Sequence, residues 1–367
     1  MPVAISGIGT ANPQYTQTQS NVLTLMTKAL QLSKVEQRLL KTIVREAGVE
    51  RRYSVLEDFI KTEEMLTFFP NAYHDEYPST HQRMKLYQQH ALPLALVAIE
   101  QCLAQAAINK NAITHLITVS CTGMYAPGLD IEILQQAAMP STVERATINF
   151  MGCYGVFNAL KMARSICTAD EHAKVLIVSV ELCTIHFQKS LSLDNLISSS
   201  IFSDGAGALL VETAPQTDKY FILSDFYCDI VPDSEREMTW DIGDYGFDIR
   251  LSSYVPQLIE QGIGQFIDRL LSRKSAHGEN FDYYAIHPGS KRILEACEQA
   301  LKIKPEDNRF SYEVLRQFGN MSSATITFVL KKLFANLNQA DHAKKVLSCA
   351  FGPGLTLESM ILTLNHV

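Results

Sequence analysis

Several features that define large protein classes are missing from this sequence. It has no run of 18 consecutive apolar residues, so we expect no membrane-spanning helix. Its first residues show no basic segment followed by an apolar core, so we expect no secretory signal peptide. None of its eight cysteines forms a C-x-x-C pair, which argues against a zinc or disulfide framework. Together these absences predict a cytoplasmic protein with reduced cysteines.

Positive charge is also scarce. The 32 Lys and Arg residues are outnumbered by 39 Asp and Glu residues, and the formal net charge is −7. This balance argues against a nucleic-acid partner. The sequence contains neither an H-E-x-x-H motif nor a G-x-x-x-x-G-K-[ST] loop, so we expect no metal site and no bound nucleotide. Its length of 367 residues is sufficient for two domains.

Short apolar runs alternate with longer segments of helical periodicity. Such runs are typical of buried strands, and their alternation with helices predicts an α/β layered protein. The runs are 115–120, 174–180, 206–212, 282–286, 345–350 and 357–364.

The same order of features occurs twice along the chain. A strand, a helix that begins near a glycine, a KVL strand and a final strand appear in each half, with the KVL sequences at 174 and 345. We therefore predict a duplicated core, divided into residues 1–215 and 216–367. Chance similarity between α/β patterns is the alternative.

Cys153 stands out among the cysteines because of its position. It follows Gly152 and precedes apolar residues at helical spacing, which places it in the first turn of a helix. The N–H groups and partial positive charge of a helix N-terminus favour the thiolate, the reactive form of cysteine. A buried structural thiol is the alternative.

His287 and Asn320 occupy comparable positions in the second half. His287 follows a predicted strand and precedes Pro288–Gly289, and a histidine there can exchange protons near neutral pH. Asn320 precedes a predicted helix. It can serve as an N-cap, or its amide can donate a hydrogen bond to a developing oxyanion.

The sequence resembles the type III polyketide synthases, the chalcone-synthase-like condensing enzymes of the thiolase fold. The resemblance rests on these three residues in combination with other motifs. The similarity is strongest to the bacterial alkylpyrone and alkylresorcinol synthases. The matching motifs are GIGTANP at 7–13, ERRY at 50–53, SCTG at 120–123, APGLD at 126–130, MGC at 151–153, IFSDGAGALLV at 201–211, MTWDIGDYGFDIRLSSYVP at 238–256, IHPGS at 286–290, FGNMSSAT at 318–325 and FGPGLTLE at 351–358.

This resemblance implies both a fold and a reaction. The fold has two βαβαβαββ halves that form a five-layered α-β-α-β-α core. Cys153 would hold the acyl chain as a thioester, and His287 and Asn320 would bind the thioester carbonyl oxygens, with His287 also forming an ion pair with the thiolate. An acyl-CoA starter would be extended by repeated decarboxylative condensation with malonyl-CoA and cyclised to a pyrone or resorcinol. The family uses no bound cofactor, and its members are homodimers.

The resemblance also implies the residues that shape the active-site cavity. Phe202 would be a gatekeeper between the entrance and the cavity, and Ile249 would replace a second aromatic gatekeeper. The remaining cavity residues by this criterion are Cys121, Cys183, His186, Ser198, Trp240, Gly352, Pro353 and Gly354.

The segment 35–48 is predicted to form an amphipathic helix. Its basic residues are Arg38, Lys41 and Arg45, and the opposite, apolar face consists of Leu39, Leu40, Ile43, Val44 and Ala47. A solvated basic face is the simplest interpretation. The resemblance instead implies that the three basic residues bind the phosphates of CoA.

Two other functions are compatible with the same residues. One is a single-condensation enzyme like ketoacyl synthase III, or an acyltransferase, which shares Cys, His and Asn but typically has an H-Q-A-N stretch in place of HPGS. The other is an inactive binding protein that retains the fold.

Overall fold

The computed structural model describes residues 2–61, 65–71, 76–252, 254–272 and 281–366. The strands are β1 Ala4–Ala11, β2 Tyr15–Thr18, β3 Arg51–Ser54, β4 His115–Ser120, β5 Glu144–Asn149, β6 Val175–Leu182, β7 Asp204–Glu212, β8 Lys219–Ile230, β9 Met238–Gly243, β10 Gly246–Leu251, β11 Tyr283–Ile286, β12 Lys345–Gly352 and β13 Thr356–His366. The helices are α1 Gln19–Ala29, α2 Lys34–Glu46, α3 Thr80–Ala106, α4 Leu129–Gln136, α5 Gly155–Ala169, α6 Leu193–Ile201, α7 Val255–Ser272, α8 Lys291–Leu301, α9 Arg309–Phe318 and α10 Thr325–Asn336.

The main sheet of the described chain has nine strands in the order β11-β12-β13-β8-β1-β7-β6-β4-β5. The order β4-β6-β7-β1 in the first half is repeated as β11-β12-β13-β8 in the second. In each half the first pair is parallel and the next two are antiparallel. The halves meet where β1 pairs with β8 at two positions, Ala4 with Ile222 and Ile5 with Phe221. All six predicted strands form, and the duplicated order is present.

The two halves differ at one strand. In the first half β5 continues the sheet beyond β4, whereas the described part of the second half has no strand beyond β11. The corresponding segment makes only an isolated bridge between Phe202 and Asn320. Asn320 donates its backbone N–H to Ile201 and its carbonyl accepts from Ser203. The Asn320 segment is therefore bonded to the end of α6 instead of to β11.

Alternation of side chains along the strands creates the layers. On β6, Val175 and Ile177 pack into the central core with α5 and α10, while Leu176 and Val178 pack into an outer core with α3. Strand β12 alternates in the same way between the central core and a second outer core that contains α7 and α8. The result is the expected α-β-α-β-α arrangement.

The longest helix, α3, begins at a capping box. The Ser79 side chain accepts from the Gln82 N–H, and the Gln82 side chain accepts from the Ser79 N–H. From there α3 runs for 27 residues across the first half of the sheet. Among the residues that the structure describes, no helix is both long enough and apolar enough to span a bilayer.

Candidate active site

Cys153 lies on a tight turn that leads into a central helix. The chain leaves β5, passes Phe150 at φ 59° and Gly152 at φ 75°, and forms a 3₁₀ turn, Gly152–Tyr154, before α5. A Cβ on residue 152 would lie 2.3 Å from Cδ of Pro353, so the turn requires glycine for both its backbone angle and its packing. The predicted position of Cys153 at a helix start is confirmed.

His287 and Asn320 are placed beside this turn from the second half. His287 is 1% exposed and follows β11 directly. The Asn320 Oδ1 accepts from the Ser322 N–H at 2.8 Å, and Nδ2 donates one hydrogen to the Gly289 carbonyl at 3.1 Å. These two bonds orient the amide and leave its second N–H available to a ligand.

Cys153, His287, Asn320 and Ser322 line one cavity of about 50 Å³, here called the inner chamber. Cys153 belongs to the first half of the chain and His287 to the second, so the site forms only when the halves pack together. Cys121 and Pro353, both predicted as cavity residues, also line the inner chamber. Gly352 and Gly354 do not, although Gly352 packs closely against the ring of Tyr154.

Burial controls the protonation of the two reactive groups. It raises the pKa of the Cys153 thiol to about 12, against smaller opposing effects of hydrogen bonds with Ser322 and Asn320. Burial likewise lowers the pKa of His287 to about 3. The resting site therefore holds a neutral thiol and a neutral imidazole.

No hydrogen bond joins Cys153 to His287 among the described residues. The Cys153 thiol contacts the hydroxyl of Ser322 at 3.8 Å, and neither ring nitrogen of His287 has a hydrogen-bond partner among the described residues. Because each charge alone is disfavoured by burial, the ion pair can form only if both charges appear together, by transfer of the thiol proton to the imidazole.

A buried carboxylate forms hydrogen bonds with residues that line the inner chamber. Glu181 is fully buried on β6 and accepts hydrogen bonds from the N–H of Cys121 and from the hydroxyls of Thr122 and Ser323. Burial raises the pKa of Glu181 in spite of these bonds. The sequence analysis missed this residue, and its signal is a charged residue within an otherwise apolar strand.

A second cavity of about 220 Å³, the outer chamber, adjoins the inner one. Both chambers are lined by the same four residues, which we call the constriction: Cys183, Phe202, Trp240 and Ile249. The indole N–H of Trp240 donates to the Cys121 carbonyl at 2.6 Å, and Ile249 pairs with Trp240 across β9 and β10. The structure brings all four together, as the sequence analysis expected.

His186 and Ser198, the other two predicted cavity residues, line the outer chamber. The Nδ1 atom of His186 accepts from the Phe247 N–H at 3.0 Å, so Nε2 carries the hydrogen and donates to the Thr122 carbonyl at 2.7 Å. Burial lowers the pKa of His186 to about 3. With both nitrogens occupied, His186 is a neutral wall residue stacked on Phe247.

The basic residues of α2 lie elsewhere. Arg38, Lys41 and Arg45 are exposed, and none of them lines either chamber. Arg45 instead pairs with the neighbouring Glu46 at 3.0 Å. The structure therefore does not bring this trio to the chambers.

A groove of about 280 Å³ between α2, α6 and α8 is lined by other cations, Lys291 and Arg292. Leu39 lines this groove and is 49% exposed. Two other members of the predicted apolar face, Leu40 and Val44, are buried.

Within the described part of the chain, no group of three or more His, Cys, Asp or Glu side chains is arranged to hold a metal ion. The inner chamber combines the Cys153 thiol with one imidazole and one amide in an apolar setting. This set can support acyl transfer to sulfur and stabilise a negative oxygen.

Comparison with known proteins agrees with this chemistry. Residues 2–215 match the family "Chalcone and stilbene synthases, N-terminal domain", and residues 224–365 match "Chalcone and stilbene synthases, C-terminal domain". The chain is 30% identical over 286 residues to the "Alpha-pyrone synthesis polyketide synthase-like Pks18" of Mycobacterium tuberculosis, covering 76% of this chain and 72% of that protein.

Solved structures give the same result. The PKS-I structure from the brown alga Ectocarpus siliculosus superimposes with a TM-score of 0.91 at 28% identity, covering 99% of this chain and 98% of that one. The C-terminal type III polyketide synthase domain of Steely1 from Dictyostelium gives 0.90 at 26% identity, with both chains fully covered. The chain belongs to the chalcone and stilbene synthase family, and is a type III polyketide synthase, a condensing acyltransferase of the thiolase fold.

Proposed function

We propose that Cys153 carries the growing acyl chain as a thioester and that His287 and Asn320 bind the reacting carbonyl groups. The observation that carries this proposal is that all three line the inner chamber. The thiol proton passes from Cys153 to His287, and the thiolate attacks the starter thioester. The CoA sulfur leaves and takes the proton from His287.

Extension uses the same groups in a second role. Malonyl-CoA loses CO₂, and the negative oxygen of the resulting enolate is bound by one N–H each from His287 and Asn320. The enolate carbon attacks the Cys153 thioester, forms the new carbon–carbon bond and releases the Cys153 thiolate. The inner chamber is apolar, which strengthens these hydrogen bonds and excludes water.

The outer chamber is where we propose that the chain lies as it lengthens. It adjoins the inner chamber through the constriction and has about four times its volume. Cyclisation to a pyrone or resorcinol is our proposal for the product, supported by the name of the Mycobacterium relative, an alpha-pyrone synthesis protein.

For CoA itself we propose a site at the groove between α2 and α8. The N-terminus of α8 and the side chains of Lys291 and Arg292 provide positive charge there. Neighbouring residues line the two cavities: Ser290 lines the groove and Gly289 lines the inner chamber. Neutralising Lys291 and Arg292 should raise KM for malonyl-CoA more than neutralising Arg38, Lys41 and Arg45 together.

We further propose that the protein is a homodimer. Within each chain, residues 1–215 and 216–367 are the two halves that we propose. Strand β5 lies at the end of the nine-stranded sheet, and the neighbouring loop exposes Met124 at 45%. An unpaired strand edge beside an exposed apolar side chain favours association with a second copy. A monomer in gel filtration at micromolar concentration would contradict this.

The proposed chemistry is tested by following the covalent intermediate. The protein would be incubated with acyl-CoA starters of two to eighteen carbons, and its intact mass measured before and after labelled malonyl-CoA is added. We expect one acyl adduct, lost in Cys153→Ala and retained in the control Cys228→Ser, whose thiol is exposed. Labelled pyrone or resorcinol should follow.

Other outcomes select the alternatives. Only single-condensation ketoacyl products, or activity solely with carrier-protein thioesters, would indicate an enzyme like ketoacyl synthase III. An adduct on wild-type protein that persists in Cys153→Ala would remove Cys153 as the nucleophile. No adduct and no CO₂ release with any starter would indicate a binding protein.

A further inference from the structure

Arg52 is a buried cation that lines the outer chamber. It lies on β3, its side chain is 1% exposed, and it is adjacent to Phe202 of the constriction. Its Nη1 atom donates to the carbonyls of Ser199 at 2.5 Å and Phe202 at 2.8 Å, at the end of α6. One edge of the guanidinium is thus fixed by the protein.

The opposite edge of Arg52 is not satisfied. Among the described residues, neither Nε nor Nη2 has a hydrogen-bond partner. Buried donors without partners are rare in native proteins and call for an explanation. Burial lowers the pKa of Arg52 to about 9, so the group still carries its charge at neutral pH.

The anion that acts on Arg52 electrostatically is Asp204. Among the described residues it forms no hydrogen bond with Nε or Nη2. The Asp204 carboxylate accepts instead from the Val55 N–H and from the N–H and hydroxyl of Thr184. The second donor edge of Arg52 is thus buried and without a partner among the described residues, and Arg52 itself lines the outer chamber.

The geometry of this edge selects the ligand. The Nε–H and Nη2–H bonds of a guanidinium are nearly parallel, so they fit two oxygen atoms held side by side. A simple alkyl chain in the outer chamber would leave both donors unsatisfied. A carboxylate, or the oxygens of two carbonyl groups separated by one carbon, would satisfy them together.

We propose that Arg52 binds a pair of oxygen acceptors on the chain that enters the outer chamber. The pair is either the terminal carboxylate of a diacid-derived starter or the 1,3-dicarbonyl unit of the growing chain. This inference rests on the proposed function, since it requires the chain on Cys153 to extend through the constriction. It assigns Arg52 as a specificity-determining binding residue.

The test compares hexanoyl-CoA with adipoyl-CoA, which has the same length and a terminal carboxylate. Wild-type protein and Arg52→Lys are assayed for kcat/KM with each starter, for acylation of Cys153 and for product length. Lysine retains the charge and can bond one α6 carbonyl, but it lacks the paired donor edge.

Two results support the proposal and identify the source of the oxygens. If the starter carboxylate is bound, the adipoyl to hexanoyl ratio of kcat/KM should fall about 10- to 100-fold in Arg52→Lys. If the growing chain is bound, both starters should acylate Cys153 normally, and the variant should release products with fewer extensions.

The matched control is Gln17→Met. Gln17 lies opposite Arg52 in the β2–β3 pair, is fully buried and has an unpartnered amide among the described residues, but it does not line the outer chamber. An unchanged starter ratio and product length in folded Arg52→Lys would overturn the proposal, as would equal changes in Gln17→Met.

Folding and the parent proposal are checked separately. If Arg52→Lys does not fold, a crystal structure of the wild-type protein with its product replaces it. We then expect two product oxygens within hydrogen-bond distance of Nε and Nη2, and their absence overturns the inference. If no starter acylates wild-type Cys153, the proposed function itself fails, which is a different result.

Discussion

The two halves of the chain each have a 3₁₀ turn at the same point, but the two turns differ in their surroundings. In the first half the 3₁₀ turn Gly152–Tyr154 precedes α5, and in the second the turn Ser322–Ala324 precedes α10. The first residue of each turn has a positive φ, 75° and 45° respectively. Both helices lie in the central layer, between the two halves of the sheet.

The middle residues of the two turns have opposite environments. Cys153 is half-buried and faces the inner chamber, whereas Ser323 is fully buried and donates to Glu181, with the Ser179 hydroxyl at 2.7 Å. The turn alone therefore does not make a residue reactive. In the proposed mechanism, the cavity beside Cys153 distinguishes the middle residue that reacts, and the carboxylate beside Ser323 distinguishes the one that supports the fold.

The largest effect is expected when the two turns are made chemically alike. Cys153→Ser should lower product formation on the order of 10³-fold or more, because a serine hydroxyl is a much weaker acid than a thiol and alkoxide is a poor leaving group. Its stability should stay close to wild type. Product formation and urea unfolding of the same preparation check both statements.

The complementary change is Ser323→Ala. It removes a donor to the buried Glu181 and should cost about 1–3 kcal/mol of unfolding free energy. Acylation of Cys153 should persist in the folded fraction. A Ser323→Ala protein of wild-type stability that cannot be acylated would reverse the roles assigned to the two turns.

A second experiment tests the protonation state of the resting site. Because burial raises the pKa of Cys153 to about 12, the thiolate fraction should increase about tenfold for each pH unit between pH 7 and 9. The rate of alkylation of Cys153 by iodoacetamide, measured by peptide mass spectrometry, should rise in parallel. A rate that is already constant at pH 7 would show a preformed thiolate–imidazolium pair.

Much of the fold could be predicted from the sequence because the central strands are buried on both faces. The runs at 174–180 and 206–212 are mostly apolar, and both form strands of the main sheet. The sequence could not predict that the Asn320 segment pairs with the end of α6 instead of with β11. This pairing depends on backbone hydrogen bonds with Ile201 and Ser203, which are distant in sequence.

The candidate site could be predicted where its residues belong to short sequence motifs. Cys153 and its neighbouring glycine are adjacent in sequence, and the turn follows from them. The proposed role of Arg52 could not be predicted, because it depends on burial and on packing against α6. Binding of CoA phosphates by the basic trio on α2 stays a prediction. Helical spacing gives a face, but only packing against α6 and α8 decides which face lines the groove.

The first residues of the two turns should respond unequally to substitution, and the smallest effect is expected at Ser322. Gly152→Ala should cost more than about 2 kcal/mol, since alanine is strained at φ 75° and its Cβ would overlap Pro353. Ser322→Gly should change stability by at most about 1 kcal/mol, because relief of strain at φ 45° is offset by the greater freedom of glycine in the unfolded chain. Ser322→Gly should still lower the acylation rate a few-fold, as the hydroxyl beside the Cys153 thiol is lost. Urea unfolding of both variants, with stopped-flow acylation, separates these effects. Equal losses of stability in the two variants would mean that the second turn is as constrained as the first, and that the difference between the halves lies only in their middle residues.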